Sequence, residues 1–153
     1  MKMIDTYPNP WDFHNTDKTH VSVDNFHRVV YYDLKEIAMG APIGGHCFLE
    51  TADKQKVKIN DWCGGPPAWE TDGQLIAIPV WTRKFLKGTF QQIGVVNTKT
   101  MELKIFAKKF RVLDLRSFDK TKIYGYDSPI HNTETVTFDI EKEKIETIIK
   151  LTK

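Results

Sequence analysis

Cysteine is scarce in this chain, with Cys47 and Cys63 its only two. A disulfide scaffold would use more of them, so both thiols are expected to stay free in a reducing compartment. Long hydrophobic runs are missing as well. No stretch is apolar for the roughly 20 residues that a membrane-spanning helix needs, and Met1-Lys2-Met3-Ile4-Asp5 turns polar before an apolar signal segment can form. These absences predict a cytoplasmic protein with no membrane partner. Gly-x-x-x-x-Gly-Lys, Gly-x-Gly-x-x-Gly and His-Glu-x-x-His do not occur, which removes the phosphate-loop, dinucleotide and zinc-protease signatures.

An excess of one charge sign is absent too. The net charge is +2, but residues 1–75 hold 7 Lys and Arg against 11 Asp and Glu, while residues 76–153 hold 15 against 9. That split predicts an acidic and a basic face, which would steer an oppositely charged partner. The densest basic run, Lys104, Lys108, Lys109 and Arg111, alternates with Ile105, Phe106 and Phe110. Such a run reads as a solvated sheet face, so nucleic acid is not an expected partner. At 153 residues, with 27% charged and 41% hydrophobic residues, the chain has the size and balance of one soluble globular domain.

What the chain does have is concentrated between Asp61 and Trp81, where three of its four tryptophans fall. Asp72-Gly73 supplies a tight turn, and the Leu75 to Ile78 run behind it reads as a strand buried on both faces. Ahead of it, residues 1–20 form an extended arm, because Pro8 and Pro10 forbid a helix; its Tyr7, Trp11 and Phe13 are placed to pack on the domain surface. Residues 21–153 make a single domain. Phe26 to Asp33 is rich in β-branched and aromatic residues and reads as a strand, and Leu34 to Met39 is too short for a helix.

After the Gly40 to Gly45 break, His46 to Thr51 and Gln55 to Asn60 flank Ala52-Asp53-Lys54 as a hairpin. Arg83 to Gly88 reads as a basic loop, and Gln91 to Asn97 with Met101 to Phe106 makes a second hairpin. Phe110 to Phe118 with Lys122 to Tyr126 makes a third. Val136, Phe138 and Ile140 alternate cleanly with polar residues, and Ile145 to Ile149 reads better as a last strand than as a helix. About ten short strands without a convincing helix predict an all-β antiparallel meander, folded as a sandwich or as a curled, propeller-like sheet.

Residues 67–78, Pro67-Ala68-Trp69-Glu70-Thr71-Asp72-Gly73-Gln74-Leu75-Ile76-Ala77-Ile78, are followed by Ile93-Gly94-Val95-Val96-Asn97-Thr98-Lys99-Thr100. Together these segments resemble one blade of a TolB-type β-propeller, in which a Trp-x-x-Asp-Gly turn leads into an inner strand. Asn97 stands where the blade usually has Asp, and Thr100 where it has Gly. A propeller needs typically four or more blades, so the resemblance implies a fragment or a sandwich that reuses blade hairpins. In overall character the chain also resembles the immunity proteins that bacteria pair with secreted toxins, which implies a toxin as partner and carries over no residue.

Candidate chemistry is thin. His46-Cys47 and Cys63, with His27 or His131, hold zinc-type ligands, but adjacent strand residues point to opposite faces and no Cys-x-x-Cys pair exists, so neither metal nor cofactor is expected. Glu50, Asp53, Asp61, Glu70 and Asp72 supply carboxylates for a glycosidase-like pair, though Asp53 and Asp72 already serve turns. Trp62 and Trp69, in loop-like chain, are candidate partner anchors with Arg83 and Lys84 beside them; the competing role is to cap the ends of a β core. The expectation is a non-enzymatic protein-binding domain, such as an immunity-type inhibitor. The alternatives are a small-molecule or carbohydrate-binding β module and a hydrolase without a recognised signature.

Overall fold

In a computed structural model the chain is described over residues 6–22, 24–36, 38–84, 88–130 and 132–152. The first five residues of the arm, the tip of the Arg83 to Gly88 loop and His131 lie outside them. Among the described residues the chain forms eleven strands: β1 (Arg28–Glu36), β2 (Ile43–Glu50), β3 (Lys56–Cys63), β4 (Ala68–Trp69), β5 (Leu75–Lys84), β6 (Gly88–Asn97), β7 (Glu102–Phe110), β8 (Leu113–Asp119), β9 (Lys122–Asp127), β10 (Glu134–Asp139) and β11 (Ile145–Lys150). A 3-10 turn, Lys18–His20, precedes them.

The strands form two antiparallel sheets. The larger runs β1-β2-β3-β5-β6-β7-β11, with β4 beside β5, and the smaller runs β10-β9-β8. Strand β3 meets β5 only at Cys63 and Val80, so the β1–β3 part splays from β5 and folds across the face of β5–β7. Val29, Leu49, Val57 and Ile59 there pack against Ile76, Ile78, Val96 and Leu103 in one core. On the opposite face of the same central strands, Ala77, Ile93, Val95 and Phe106 pack against Leu115, Phe118, Ile123 and Phe138 of the small sheet.

Burial on both faces explains why Leu75 to Ile78 is a continuous apolar run instead of an alternating one. The sheet curls but does not close, since β1 and β11 pair on one side only. Phe13 goes further than the surface contact expected of the arm, being fully buried among Tyr31, Cys47 and Cys63. The other strand boundaries shift modestly. Strand β1 continues to Glu36 through a bulge between Tyr32 and Lys35, where Asp33 takes φ +58°. Met101 to Phe106 continues to Phe110, and the third hairpin starts only at Leu113. No helix of the described chain is long and apolar enough to cross a membrane.

Candidate functional site

The bulge in β1 opens a cleft on the described surface. It has a volume of about 580 Å³ and is lined by the β1 segment Asp33 to Glu36, Gly44, Gly45 and His46 of β2, Asp61 and Trp62 of β3, and Arg83 of β5. Two glycines shape it. A Cβ on Gly45 would stand 2.4 Å from the Tyr32 carbonyl oxygen, so only glycine lets β2 pass beneath the bulge. A Cβ on Gly44 would lie 3.1 Å from the Trp81 indole, which leaves little room for any side chain there.

Trp62 is half-buried at the wall of this cleft. Its ring stacks on Trp81 with centroids 5.7 Å apart and planes 25° from parallel. The Arg83 guanidinium lies 5.4 Å from the Trp62 ring centre, a cation–π distance, and its Nε donates to Thr89 Oγ1 at 3.1 Å. Trp81 is buried, and its indole N–H has no hydrogen-bond acceptor among the described residues. The stack therefore holds Trp62 by two neighbours anchored on the long β5–β6 hairpin.

Beside it the cleft is polar and of mixed sign. Asp61 pairs with Lys58 and lies 3.6 Å from His46 Nδ1. Hydrogen bonding to Lys58, reinforced by its charge and by His46, holds the Asp61 carboxyl below the usual carboxylate range. At 3.6 Å the His46–Asp61 pair is an electrostatic contact and not a hydrogen bond. Neither cysteine joins it: Cys47, next to His46, points into the core, and Cys63 is also fully buried and free. Burial pushes the Cys63 thiol well above its ordinary pKa, so it is held as the unreactive thiol.

The structure separates the four residues that the sequence grouped. Trp62 and Arg83 meet in the cleft. Lys84 lies outside its lining, with its ammonium 6.0 Å from the Phe90 ring centre. Trp69 lines a different hollow with Lys18, Pro67 and Arg116; its indole N–H donates to the His20 carbonyl at 3.0 Å, which ties the arm to the sheet. Neither tryptophan is in a loop, since Trp62 belongs to β3 and Trp69 to β4. Among the described residues no group of three or more His, Cys, Asp or Glu side chains is arranged to hold a metal ion.

Sequence reasoning named His46 and Asp61 for other chemistries and passed over Asp33, Lys35 and Glu36. The Gly44-Gly45 pair beside a histidine was the available signal. Compared with protein-family models, curated proteins and solved structures, this chain matches none of them.

Proposed function

We propose that this chain is a protein-recognition domain, in which the cleft of Trp62 and Arg83 is the centre of the contact surface. The observation that carries the reading is the Arg83–Trp62–Trp81 stack. Tryptophan and arginine dominate the energetics of protein interfaces, and an anchor already locked in place loses little side-chain entropy on binding. Asp33, Lys35, Glu36 and Asp61 would then form the polar rim around it. An immunity-type inhibitor that covers the working surface of a toxin is the concrete form of this reading. The blade-like stretch 67–100 contributes Trp81 and Arg83, so a propeller-type hairpin would serve as scaffold.

A small ligand is the second reading, favoured by the concavity of the cleft. Arg83 over the Trp62 ring weakens the carbohydrate version, because a sugar platform needs an uncovered aromatic face.

The test compares wild-type bait with Trp62→Ala and with Tyr124→Ala, an exposed change on the small sheet, after circular dichroism shows the same β signature for all three. One stoichiometric protein held by wild type and Tyr124→Ala but lost by Trp62→Ala supports recognition through the cleft. Capture that survives Trp62→Ala, or no capture at all, overturns it. A tryptophan-fluorescence screen of small ligands, with Trp62→Ala as the blank, would then test the second reading.

A further inference from the structure

Arg83 ends the aromatic stack of the cleft with part of its hydrogen-bonding capacity unused. Its guanidinium lies 5.4 Å from the Trp62 ring centre, and its Nε donates to Thr89 Oγ1 at 3.1 Å. Thr89 is the residue paired with Arg83 across the β5–β6 hairpin, so the acceptor that orients the fork stands on the neighbouring strand. With Nε engaged and one face on the ring, the edge that carries the two terminal nitrogens is left. Among the described residues those nitrogens meet no carboxylate and no other acceptor.

The cations around Arg83 are also without counter-ions. Lys84, Lys108, Lys109 and Arg111 gather at the same end of β5, β6 and β7, and none of them pairs with a carboxylate among the described residues. Lys84 and Lys109 lie 6.0 and 4.9 Å from the Phe90 ring centre, and Lys108 lies 5.5 Å from that of Phe110. An ammonium on a flexible stem supplies positive field but little geometry. Arg83 differs, because a planar fork held at Nε and against a ring is oriented for a bidentate grip on a planar anion.

The rest of the cleft narrows which anion that is. Asp33, Glu36 and Asp61 line it together with Lys35 and His46. A run of phosphates laid along the cleft would be set against these carboxylates, and like charges brought together are costly. A protein segment can bring one carboxylate to the Arg83 end and keep the rest of its charge away from that wall.

We infer, resting on the recognition reading above, that Arg83 is the receptor for one acidic side chain, Asp or Glu, of the partner protein. The terminal nitrogens donate to the two carboxylate oxygens. Trp62 and Thr89 are positioning residues that hold the plane of the fork, and the neighbouring lysines draw an acidic surface toward it.

A phage-displayed library of random peptides, panned against wild type and against Trp62→Ala, tests this. Peptides enriched by wild type over Trp62→Ala are expected to share an Asp or Glu at one position. In a synthetic copy, replacing that acid by its amide should weaken binding to wild type by about tenfold or more, and the weakening should vanish in Arg83→Ala. Arg83→Lys keeps the charge but not the fork, so it should recover little of the loss. Thr89→Val should weaken the acidic peptide and leave its amide form unchanged. Arg83 and Thr89 are exposed, so these variants should keep the wild-type circular dichroism. Peptides that depend on Trp62 yet lose nothing on amidation, or lose as much in Arg83→Ala, overturn the inference and leave recognition through the cleft standing. A random oligonucleotide that competes for Arg83 more tightly than the acidic peptide also overturns it, since the fork would then serve phosphate. A library in which nothing is enriched over Trp62→Ala removes the recognition reading and the inference with it.

Discussion

Glu70 Oε1 accepts the backbone N–H of Lys120 at 3.2 Å, across fifty residues of sequence. The same carboxylate takes the Asp72 N–H on Oε2 at 2.7 Å and the Thr71 hydroxyl on Oε1 at 3.1 Å. One buried side chain thus closes the Asp72-Gly73 turn of the large sheet and pins it to the β8–β9 turn of the small one. Glu70, itself 3% exposed, is the acceptor of the Asp72 and Lys120 N–H groups, so Glu70→Ala would leave both amides without it, while the Thr71 hydroxyl keeps Asp119 Oδ1 at 3.2 Å. Unmet buried groups cost about 1–3 kcal/mol each. The expected outcome in urea denaturation is a loss of about 3 kcal/mol, with Thr71→Val, which removes one hydroxyl, costing about 1 kcal/mol. Equal losses for the two variants would show that Glu70 does not join the sheets.

Asp114 is fully buried, and its Oδ2 receives Arg116 at 2.6 Å while Oδ1 has no partner among the described residues. Burial pushes its carboxyl above the ordinary value, and Arg116 pulls it back. Arg116→Ala strands an uncompensated buried charge, so it should cost about 3 kcal/mol at neutral pH, against about 1 kcal/mol for Asp114→Asn. The sign follows from linkage: a carboxyl raised on folding gives stability present at low pH and lost as the pH rises through its folded value. Without Arg116 that value rises further. The gap between wild type and Arg116→Ala, read from urea midpoints, should therefore narrow as the pH falls toward about 4, the ordinary carboxylate range. A gap that is constant or widens would mean that Arg116 acts only through its contact with the Pro8 carbonyl.

Local signals made the strands legible, and non-local pairing made the site illegible. Val136 and Phe138 alternate with polar residues and are buried as the pattern requires, because one face of β10 meets the core. Phe110 to Phe118 read as one strand, yet the chain turns at Arg111-Val112 and changes sheets. The backbone N–H groups there are held by the Asp127 carboxylate at 3.0 Å each, a partner no local pattern reveals. The Leu113 N–H is taken in turn by the buried side chain of Gln91. Trp62 and Arg83 were recognisable by residue type. That they share a cleft, while Trp69 braces the arm, depends on β3 touching β5 at a single pair and then leaving it. His46 comes beside Asp61 by the same kind of cause, the Gly45–Cys63 register of two neighbouring strands.

His20 sits fully buried against the rings of Phe13 and Tyr31, at centroid distances of 5.9 and 5.4 Å. Its Nδ1 is 3.3 Å from the Thr19 hydroxyl, and its Nε2 has no partner among the described residues. Burial lowers its pKa to about 4; Asp17 opposes the shift, and Arg28 and His14 add to it. The unfolded chain holds the imidazole at about 6.5, so between these values it binds more protons than the native state does. Stability is then full above about 6.5 and falls as the pH drops toward 4, by on the order of 3 kcal/mol for this one group. Because His20 carries the carbonyl that Trp69 grips and packs on Phe13, the loss should release the arm along with the core. His20→Phe keeps the ring volume and removes the titration. It should flatten the wild-type decline in urea midpoint between pH 7 and 4, leaving only the carboxylate contribution at the acid end. An unchanged decline in His20→Phe would place the acid sensitivity elsewhere in the fold.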